Sequence, residues 1–358
     1  MDKEKMFVRQ TTLPEVGLEG QEKLLEAKIA IIGCGGLGSA AAVYLAATGI
    51  GQIHLIDYDK IDLSNLHRQV FYTLEEVGRS KAKSLAKHIE SISSFVSVSI
   101  HEEPINKNNI AQQLNDYSII LDCTDSLQTK YLLNDYCVLN NKILVYGSLY
   151  KHDGYIGVFN VNSKDGRTAN LRDAFPEMSQ KHVPNCSEIG TLNPIVGMIG
   201  LMQANEVIKI ITGTGTLLTN KILIYNSMDN SQFIMKLKQA FSKPKIAEMY
   251  NNEHYFDARC EVQDERLLIE ADKLRNKLGD GNIKIISVIA DPDFSMPFSI
   301  DLTMPNSKFD VAKLAPFLSN EIIVVCQKGI SSYETTKRIR KEFNGLKVFS
   351  LKNGLENY

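Results

Sequence analysis

The chain has 358 residues, with 40 lysines and arginines against 42 aspartates and glutamates, a formal net charge of −2. Such a length exceeds one ordinary hydrophobic core, so two domains are expected, and the balanced charge excludes the electrostatic footprint of a nucleic-acid binder. The start Met1-Asp2-Lys3-Glu4-Lys5 has no signal-peptide core, no apolar run approaches the ~20 residues of a bilayer span, and the six cysteines form no disulfide framework, so a cytoplasmic protein with reduced thiols and no membrane contact is expected.

Lys28-Ile29-Ala30-Ile31-Ile32 reads as a strand feeding a glycine turn, Gly33-Cys34-Gly35-Gly36-Leu37-Gly38-Ser39, and then a helix. Glycines at 33, 35 and 38 let the turn tighten and bring the backbone close to a phosphate. The helix starting near Gly36 aims its N–H groups and positive dipole end at that anion. A second strand at 53–57 ends in Asp57, 19 residues past Gly38 (57 − 38), where a carboxylate reaches ribose hydroxyls. Taken alone, the glycines fit a turn that packs a helix on a sheet; with the strands and the acid they point to a nucleotide. Beyond Asp57 stand Asn65, Arg68 and Gln69, and Gly78-Arg79-Ser80-Lys81 opens a helix over 79–92. Fixed cations there fit chemistry at phosphate better than hydride transfer, because arginine and lysine stabilise charge developing on a phosphoryl group.

Further strand-like runs at 118–122 and 142–146 alternate with a helical stretch at 127–140, which predicts a Rossmann-like α/β domain. Later, antiparallel strands are expected within 154–162 and 223–238, making the sheet mixed. The polar segment 174–193 between them reads as a mobile crossover. Residues 1–240 are taken as the nucleotide domain, 241–261 as a linker and 262–358 as a smaller α/β domain. In the latter, 267–278 is amphipathic, 283–289 reads as a buried strand, and Glu321-Ile322-Ile323-Val324-Val325 runs into Cys326-Gln327-Lys328-Gly329-Ile330-Ser331-Ser332 before a helix over 333–343. A cysteine at a strand end, on a short loop opening a helix, sits where backbone N–H groups favour its thiolate; a buried small residue is the commoner fate of a cysteine.

Phe7-Val8-Arg9-Gln10, Leu13-Pro14-Glu15-Val16-Gly17, Gly20-Gln21, the glycine turn, the stretch from Asp57 to Gln69, Lys81 and Leu121-Asp122-Cys123-Thr124-Asp125 follow one another in a familiar order. Pro184-Asn185-Cys186-Ser187-Glu188-Ile189-Gly190 and Gln203-Ala204-Asn205-Glu206-Val207-Ile208-Lys209 continue it. Together they resemble the MoeB/ThiF/HesA adenylyltransferases, relatives of ubiquitin-activating enzymes. The resemblance implies ATP-dependent adenylation of the C-terminal glycine carboxylate of a small ubiquitin-like sulfur carrier ending in Gly-Gly, in a pathway such as molybdopterin or thiamine synthesis. It implies ATP held by Gly33, Gly35, Gly36, Gly38, Asp57 (ribose), Asn65, Arg68 (phosphates), Gln69 and Lys81. It further implies Mg²⁺ on Asp125, and Arg9 reaching the other subunit's site, hence a homodimer. Cys186, in the irregular crossover, would form a thioester or disulfide with the carrier, with a purely structural role as the open alternative. Ser126 stands where the family usually has asparagine. Many relatives hold a structural zinc through two Cys-x-x-Cys pairs; Asn170-Leu171-Arg172-Asp173-Ala174-Phe175-Pro176 carries no cysteine there, so no zinc is expected.

The loop from Cys326 to Ser332, with the closing stretch from Phe349 to Tyr358, resembles a rhodanese domain. This implies a Cys326 persulfide loaded by a donor such as a cysteine desulfurase. Two departures stand out: Ile286-Ser287-Val288-Ile289-Ala290-Asp291 lacks the usual Asp-Val-Arg, and serines occupy loop positions where many rhodaneses place an arginine. The alternative left open is an adenylating enzyme with another acceptor, a peptide or modified tRNA, and a C-terminal domain that only docks partners.

Overall fold

Strand β1 (Lys28–Ile32) lies inside an eight-stranded sheet, and its alternation shows why. Ile29 and Ile31 face one apolar cluster while Ala30 and Ile32 face another, as in a parallel strand covered by helices on both sides. In this computed structural model the chain divides into two compact units, Met1–Tyr255 and Phe256–Tyr358. The structure describes residues 3–164, 166–176, 190–253, 255, 264–289, 294–306, 309–327, 329–355 and 358. Cys186, Cys260, Lys328 and most of the expected crossover at 174–193 lie outside them.

In the first unit β1 pairs in parallel with β2 (Gln52–Ile56) and β4 (Ile119–Asp122); β2 continues to β3 (Ser97–His101) and β4 to β5 (Ile143–Tyr150). β6 (Asp153–Phe159), β9 (Lys221–Asn226) and β10 (Gln232–Lys236) complete the sheet antiparallel, and β7 (Asn162–Ser163) with β8 (Gly166–Arg167) forms a separate hairpin. The order β10-β9-β6-β5-β4-β1-β2-β3 reverses direction between β1 and β4. Such a switch point leaves a crevice beyond the carboxyl ends of the two strands, where doubly wound sheets bind their ligands.

The helices are α1 (Lys3–Thr11), α2 (Gly17–Glu26), α3 (Gly36–Thr48), α4 (Lys81–Ile92), α5 (Ile110–Leu114), α6 (Leu127–Leu139), α7 (Leu171–Ala174), α8 (Asn193–Thr212) and α9 (Lys243–Asn252). Helix α4 starts two residues later than expected because Ser80 caps it, its Oγ accepting the Lys83 N–H at 3.3 Å. β3 is not predicted by the sequence pattern: its residues are half-exposed at the sheet edge and lack a clean apolar run.

One expectation needs correction, that of a linker at 241–261. Helix α8 is long enough and on average apolar enough to cross a bilayer, but Gln203, Asn205, Glu206 and Lys209 interrupt its apolar run, in keeping with the sequence reading. It packs instead on α3 and buries Ile195, Val196, Ile199 and Val207, as a helix covering a doubly wound sheet must. The stretch expected to be a linker contains α9, which packs on α6 with Ile246 buried. It is tied down further by Glu253 on Arg172 and by the Tyr255 hydroxyl on Asp135. The charged, Asn-rich composition conceals this helix because it buries a single apolar residue and the chain just after it is held by buried ions.

The second unit is a five-stranded, all-parallel sheet, with β11 (Leu268–Ile269), β15 (Val348–Leu351), β14 (Glu321–Val325), β12 (Ile283–Ser287) and β13 (Leu302–Thr303) in that spatial order. Helices α10 (Ala271–Lys277) and α11 (Ile330–Glu342) accompany it. Ile322 and Val324 face one apolar cluster and Ile323 and Val325 the other.

Candidate active site

Past Ile32 the chain reverses tightly at Gly33, whose φ is +94°; a Cβ there would lie 2.7 Å from the Cys123 carbonyl oxygen. Gly38 is stricter still, because its Cβ would fall 1.8 Å from the Gly33 carbonyl oxygen. These glycines seat α3 against the turn. At Gly35, by contrast, a Cβ would meet only Gln69 Nε2, at an ordinary 3.5 Å, so this backbone faces open space that a ligand can approach. The first turn of α3 carries no acidic residue to compete with an anion for its N–H groups.

Asp57 follows β2 directly and is buried beside the turn. Its Oδ2 accepts the Cys34 N–H at 2.6 Å and its Oδ1 the Asp59 N–H at 2.7 Å, so both oxygens are oriented by the backbone. Burial is the largest influence on its pKa and raises it to about 6; Asp59 adds to the rise, against the opposing pull of Lys81 and the two amides. Lys81 opens α4 with its side chain only 6% exposed and its Nζ 2.8 Å from Asp59 Oδ2. Tyr72 staples the two together, its hydroxyl 2.6 Å from the Cys34 carbonyl and 3.3 Å from that of Lys81. Gln69 donates from Nε2 to Asn65 Oδ1 at 3.0 Å, while its buried Oε1 and the buried Ser39 Oγ have no partner among the described residues. Buried polar atoms without partners carry a cost that a hydroxyl-bearing or amine-bearing ligand removes. Arg68 is half-buried and spends one nitrogen on the Ser64 carbonyl at 3.2 Å, leaving other donors of its guanidinium for an anion.

Across the switch point, Asp125 is exposed just beyond β4. Ser126 caps α6 by accepting the Thr129 N–H at 3.2 Å, so the serine found in place of asparagine keeps that helix start. Beneath it Asp122 and Lys130 form a fully enclosed pair, Nζ lying 3.2 and 3.1 Å from the two carboxylate oxygens and 2.8 Å from the Gly147 carbonyl. Gln203 Nε2 reaches the carbonyls of Asp122 (2.9 Å) and Val145 (3.2 Å), bridging the end of β4 and the neighbouring part of β5. The sequence reading missed Asp59, Tyr72, Lys130 and Gln203. For Asp59 the signal was available: a second acid two residues beyond the first, on the strand's exit loop.

The glycine turn, Asp57, Gln69 and Lys81 are therefore in contact or one residue removed. Arg9 is not among them. It is exposed on α1, whose Gln10 bonds the Thr48 carbonyl at 3.0 Å, at the far end of α3. That end is about 18 Å along the helix from Gly36 at 1.5 Å per residue.

In the second unit Cys326 ends β14, buried, its Sγ accepting the Ser332 N–H at 3.3 Å with Ser332 Oγ at 3.1 Å. Gly329 has φ +77° and a Cβ there would sit 2.8 Å from the Gly354 nitrogen, so the loop is pressed against the chain's last turn. Burial pushes the thiols of Cys34, Cys123 and Cys137 upward, Cys34 further still beside Asp57, which suits none of them to act as nucleophile. No group of three or more His, Cys, Asp or Glu among the described residues could hold a metal ion. Where the zinc-binding relatives would have cysteines, Asp173 Oδ1 instead accepts the N–H groups of Ala240 (2.6 Å) and Phe241 (2.9 Å).

If Asp57 holds a ribose, as its place after the second strand leads one to expect, ATP affinity should fall as the pH drops through about 6, by up to about tenfold per unit, because the protonated acid loses its pull on hydroxyls. The folded-state value lies above the ordinary 3.8, so this group favours folding below pH 3.8, a contribution lost as the pH rises through 6. Calorimetric titration of ATP between pH 5 and 8, in roughly half-unit steps, checks the affinity. The same acid limb in Asp57→Asn would refute the assignment.

A doubly wound sheet with a glycine turn, a buried acid and a lysine gathered at its switch point defines a Rossmann-like nucleotide-binding protein. The chain belongs to the ThiF family, whose model matches residues 7–246. It is 33% identical over 345 residues to the Mycobacterium tuberculosis "Probable adenylyltransferase/sulfurtransferase MoeZ", covering 94% of this chain and 88% of that protein. It is 31% identical over 361 residues to the Aedes aegypti "Adenylyltransferase and sulfurtransferase MOCS3", covering 94% and 82%. Among solved structures, E. coli MccB with MccA-N7isoASN superposes with a TM-score of 0.59 at 25% identity, over 67% of this chain and 73% of that one. E. coli MccB with ATP gives 0.54 at 26% identity, over 62% and 67%. This protein is an enzyme of the adenylyltransferase and sulfurtransferase kind.

Proposed function

We propose that the enzyme adenylates the C-terminal glycine carboxylate of a small ubiquitin-like sulfur carrier protein and then supplies sulfur from a persulfide on Cys326. The observation that carries this reading is the buried Asp57 and Lys81, linked through the exposed Asp59 beside the open backbone of Gly35, in a chain whose other unit holds a cysteine under a backbone N–H and a hydroxyl. Asp57 orients the ribose of ATP. A carrier carboxylate attacking the α-phosphorus expels pyrophosphate, and the negative charge that grows on the phosphates is met by Arg68 and Lys81. Arg9 of a second copy completes the set, since its own chain holds it at the far end of α3. Asp125, an exposed oxygen donor on the same crevice, suits Mg²⁺, a metal bound through one or two carboxylates with phosphates and water completing its shell. When bound, that ion supplies further neutralisation of the phosphates. Zinc has no part in this reading, because segment 170–176 carries no cysteine where zinc-binding relatives are expected to have a Cys-x-x-Cys pair. Cys186 is assigned the covalent contact with the carrier.

Carrier-dependent exchange of pyrophosphate into ATP tests the first step. Asp125→Ala is expected to lower it by at least about a hundredfold. Arg9→Ala is expected to lower it similarly, and mixing the two inactive chains to restore exchange, because a mixed dimer keeps one complete site. Undiminished exchange in Asp125→Ala would sink the assignment, and no recovery on mixing would remove the shared-site dimer.

A further inference from the structure

We propose that Ser332 and Ser350 form a directed hydroxyl relay that positions and supports the Cys326 thiolate for sulfur loading; the inference rests on the reading of Cys326 as sulfur carrier. Three elements meet here: the end of β14, the first turn of α11 and strand β15. Ser350 Oγ donates to Ser332 Oγ at 2.8 Å, and Ser332 Oγ lies 3.1 Å from Cys326 Sγ. Ser332 and Ser350 are both 0% exposed and Cys326 is 5% exposed.

Ser350 pairs with Val324 across the sheet and shares the face of Val348, within the apolar cluster that contains Ile322, Val324 and Cys326. The strand pattern calls for an apolar residue there, and a hydroxyl is tolerated only when hydrogen-bonded. Its proton goes to the Ser332 oxygen. That leaves the Ser332 proton free to point at sulfur, which then receives an O–H and an N–H from one residue. Both hydroxyl dipoles run toward Sγ, an order that suits a thiolate, an acceptor with no proton of its own. Low surrounding polarity strengthens each link. Where many rhodaneses are expected to have an arginine, this loop thus has buried neutral donors.

In the loading step the Cys326 thiolate attacks the outer sulfur of a donor persulfide. A bond forms between Sγ and that sulfur, the donor's sulfur–sulfur bond breaks, and the donor cysteine leaves with the electron pair and takes up a proton, with no net oxidation. Negative charge then leaves Sγ for the outer sulfur, one bond away. The relay therefore acts on the attacking state, which makes Ser332 and Ser350 positioning residues.

The test is single-turnover loading of the full chain with glutathione persulfide, followed at residue 326 by peptide mass spectrometry. Ser332→Ala is expected to slow loading about tenfold, the effect of one hydrogen bond to a charged group, and Ser350→Ala about three- to fivefold, the effect of a neutral hydrogen bond one step removed from the sulfur. The pH midpoint of Cys326 alkylation by iodoacetamide is expected to move upward in both relative to the parent, and Ser350→Thr, which keeps the hydroxyl, to restore rate and midpoint. Carrier-dependent pyrophosphate exchange should not change in any of them. Parental loading rates and midpoints in both alanine variants would overturn the relay while leaving Cys326 as carrier. Slowed loading with an unmoved midpoint, or without rescue by threonine, would overturn it as well by showing a packing effect. Full transfer of persulfide sulfur to the sulfur carrier protein by Cys326→Ala would instead overturn the underlying reading.

Discussion

Lys81→Met lowers carrier-dependent pyrophosphate exchange by about 10²- to 10³-fold, the loss typical when a fixed donor to developing charge is removed. The methionine fills much of the same volume, so the effect is electrostatic. In the resting site the ammonium sits 2.8 Å from Asp59 Oδ2 and also draws the Asp57 carboxyl toward ionisation. Two consequences separate. Charge on the phosphates goes unanswered, which lowers the rate; and Asp57, already raised to about 6 by burial, rises further once its cation is gone. The pH at which ATP affinity falls should therefore move upward in Lys81→Met, whereas Arg68→Met, at a residue not among the causes of the Asp57 shift, should lower exchange and leave that midpoint in place. Exchange at the parental rate in Lys81→Met would remove the lysine from the reaction. A midpoint that stays put would break the link to Asp57.

Arg172→Leu destabilises the first unit by about 3–5 kcal/mol, the penalty for stranding one member of a buried ion pair. Arg172 is 0% exposed; its Nε and Nη2 lie 2.9 and 2.6 Å from the two Asp135 oxygens, and Nη2 is also 2.6 Å from Glu253 Oε2. The guanidinium stacks 4.8 Å from the Tyr131 ring centre. This cluster joins α6, α7 and the segment following α9, so its loss should loosen α9 along with the pair itself. A fall in the unfolding midpoint on the order of 10 °C is expected for a unit of this size. Glu253→Gln, at a side chain 25% exposed, should cost far less. Arg172→Leu and Asp135→Asn should also be strongly non-additive, because either change alone already breaks the same pair. A midpoint within about a degree of the parent in Arg172→Leu would show that the segment is held by packing.

Much of the nucleotide unit was legible in the chain because local patterns carry it. The apolar run from Ile29 to Ile32, the glycines at 33 and 38, and the acid at 57 each state a backbone requirement within a few residues, and the structure meets them with β1, the tight turn and the end of β2. The strand and helix around Cys326 were legible for the same reason. Asp122 with Lys130, and Gln203 bridging two carbonyls, were not, because their partners are chosen by the crossing of strands and helices and not by spacing along the chain. The expected linker failed in the same way: residues 243–255 look like a solvated connection until Arg172 is brought to Glu253 and Asp135 to Tyr255.

By itself the sequence determined where the chain must turn tightly, which strands are covered on both faces, and which side chains carry charge toward a phosphate. Tertiary structure decided which of those charges meet. It set Lys81 on Asp59 beside Asp57, left Arg9 at the far end of α3, and brought Ser350 of one strand to the Ser332 hydroxyl that meets the Cys326 sulfur. The division follows from range. Steric and hydrogen-bond demands of the backbone act between neighbours and are written locally, whereas the field at a buried carboxylate or sulfur depends on every group the fold packs around it.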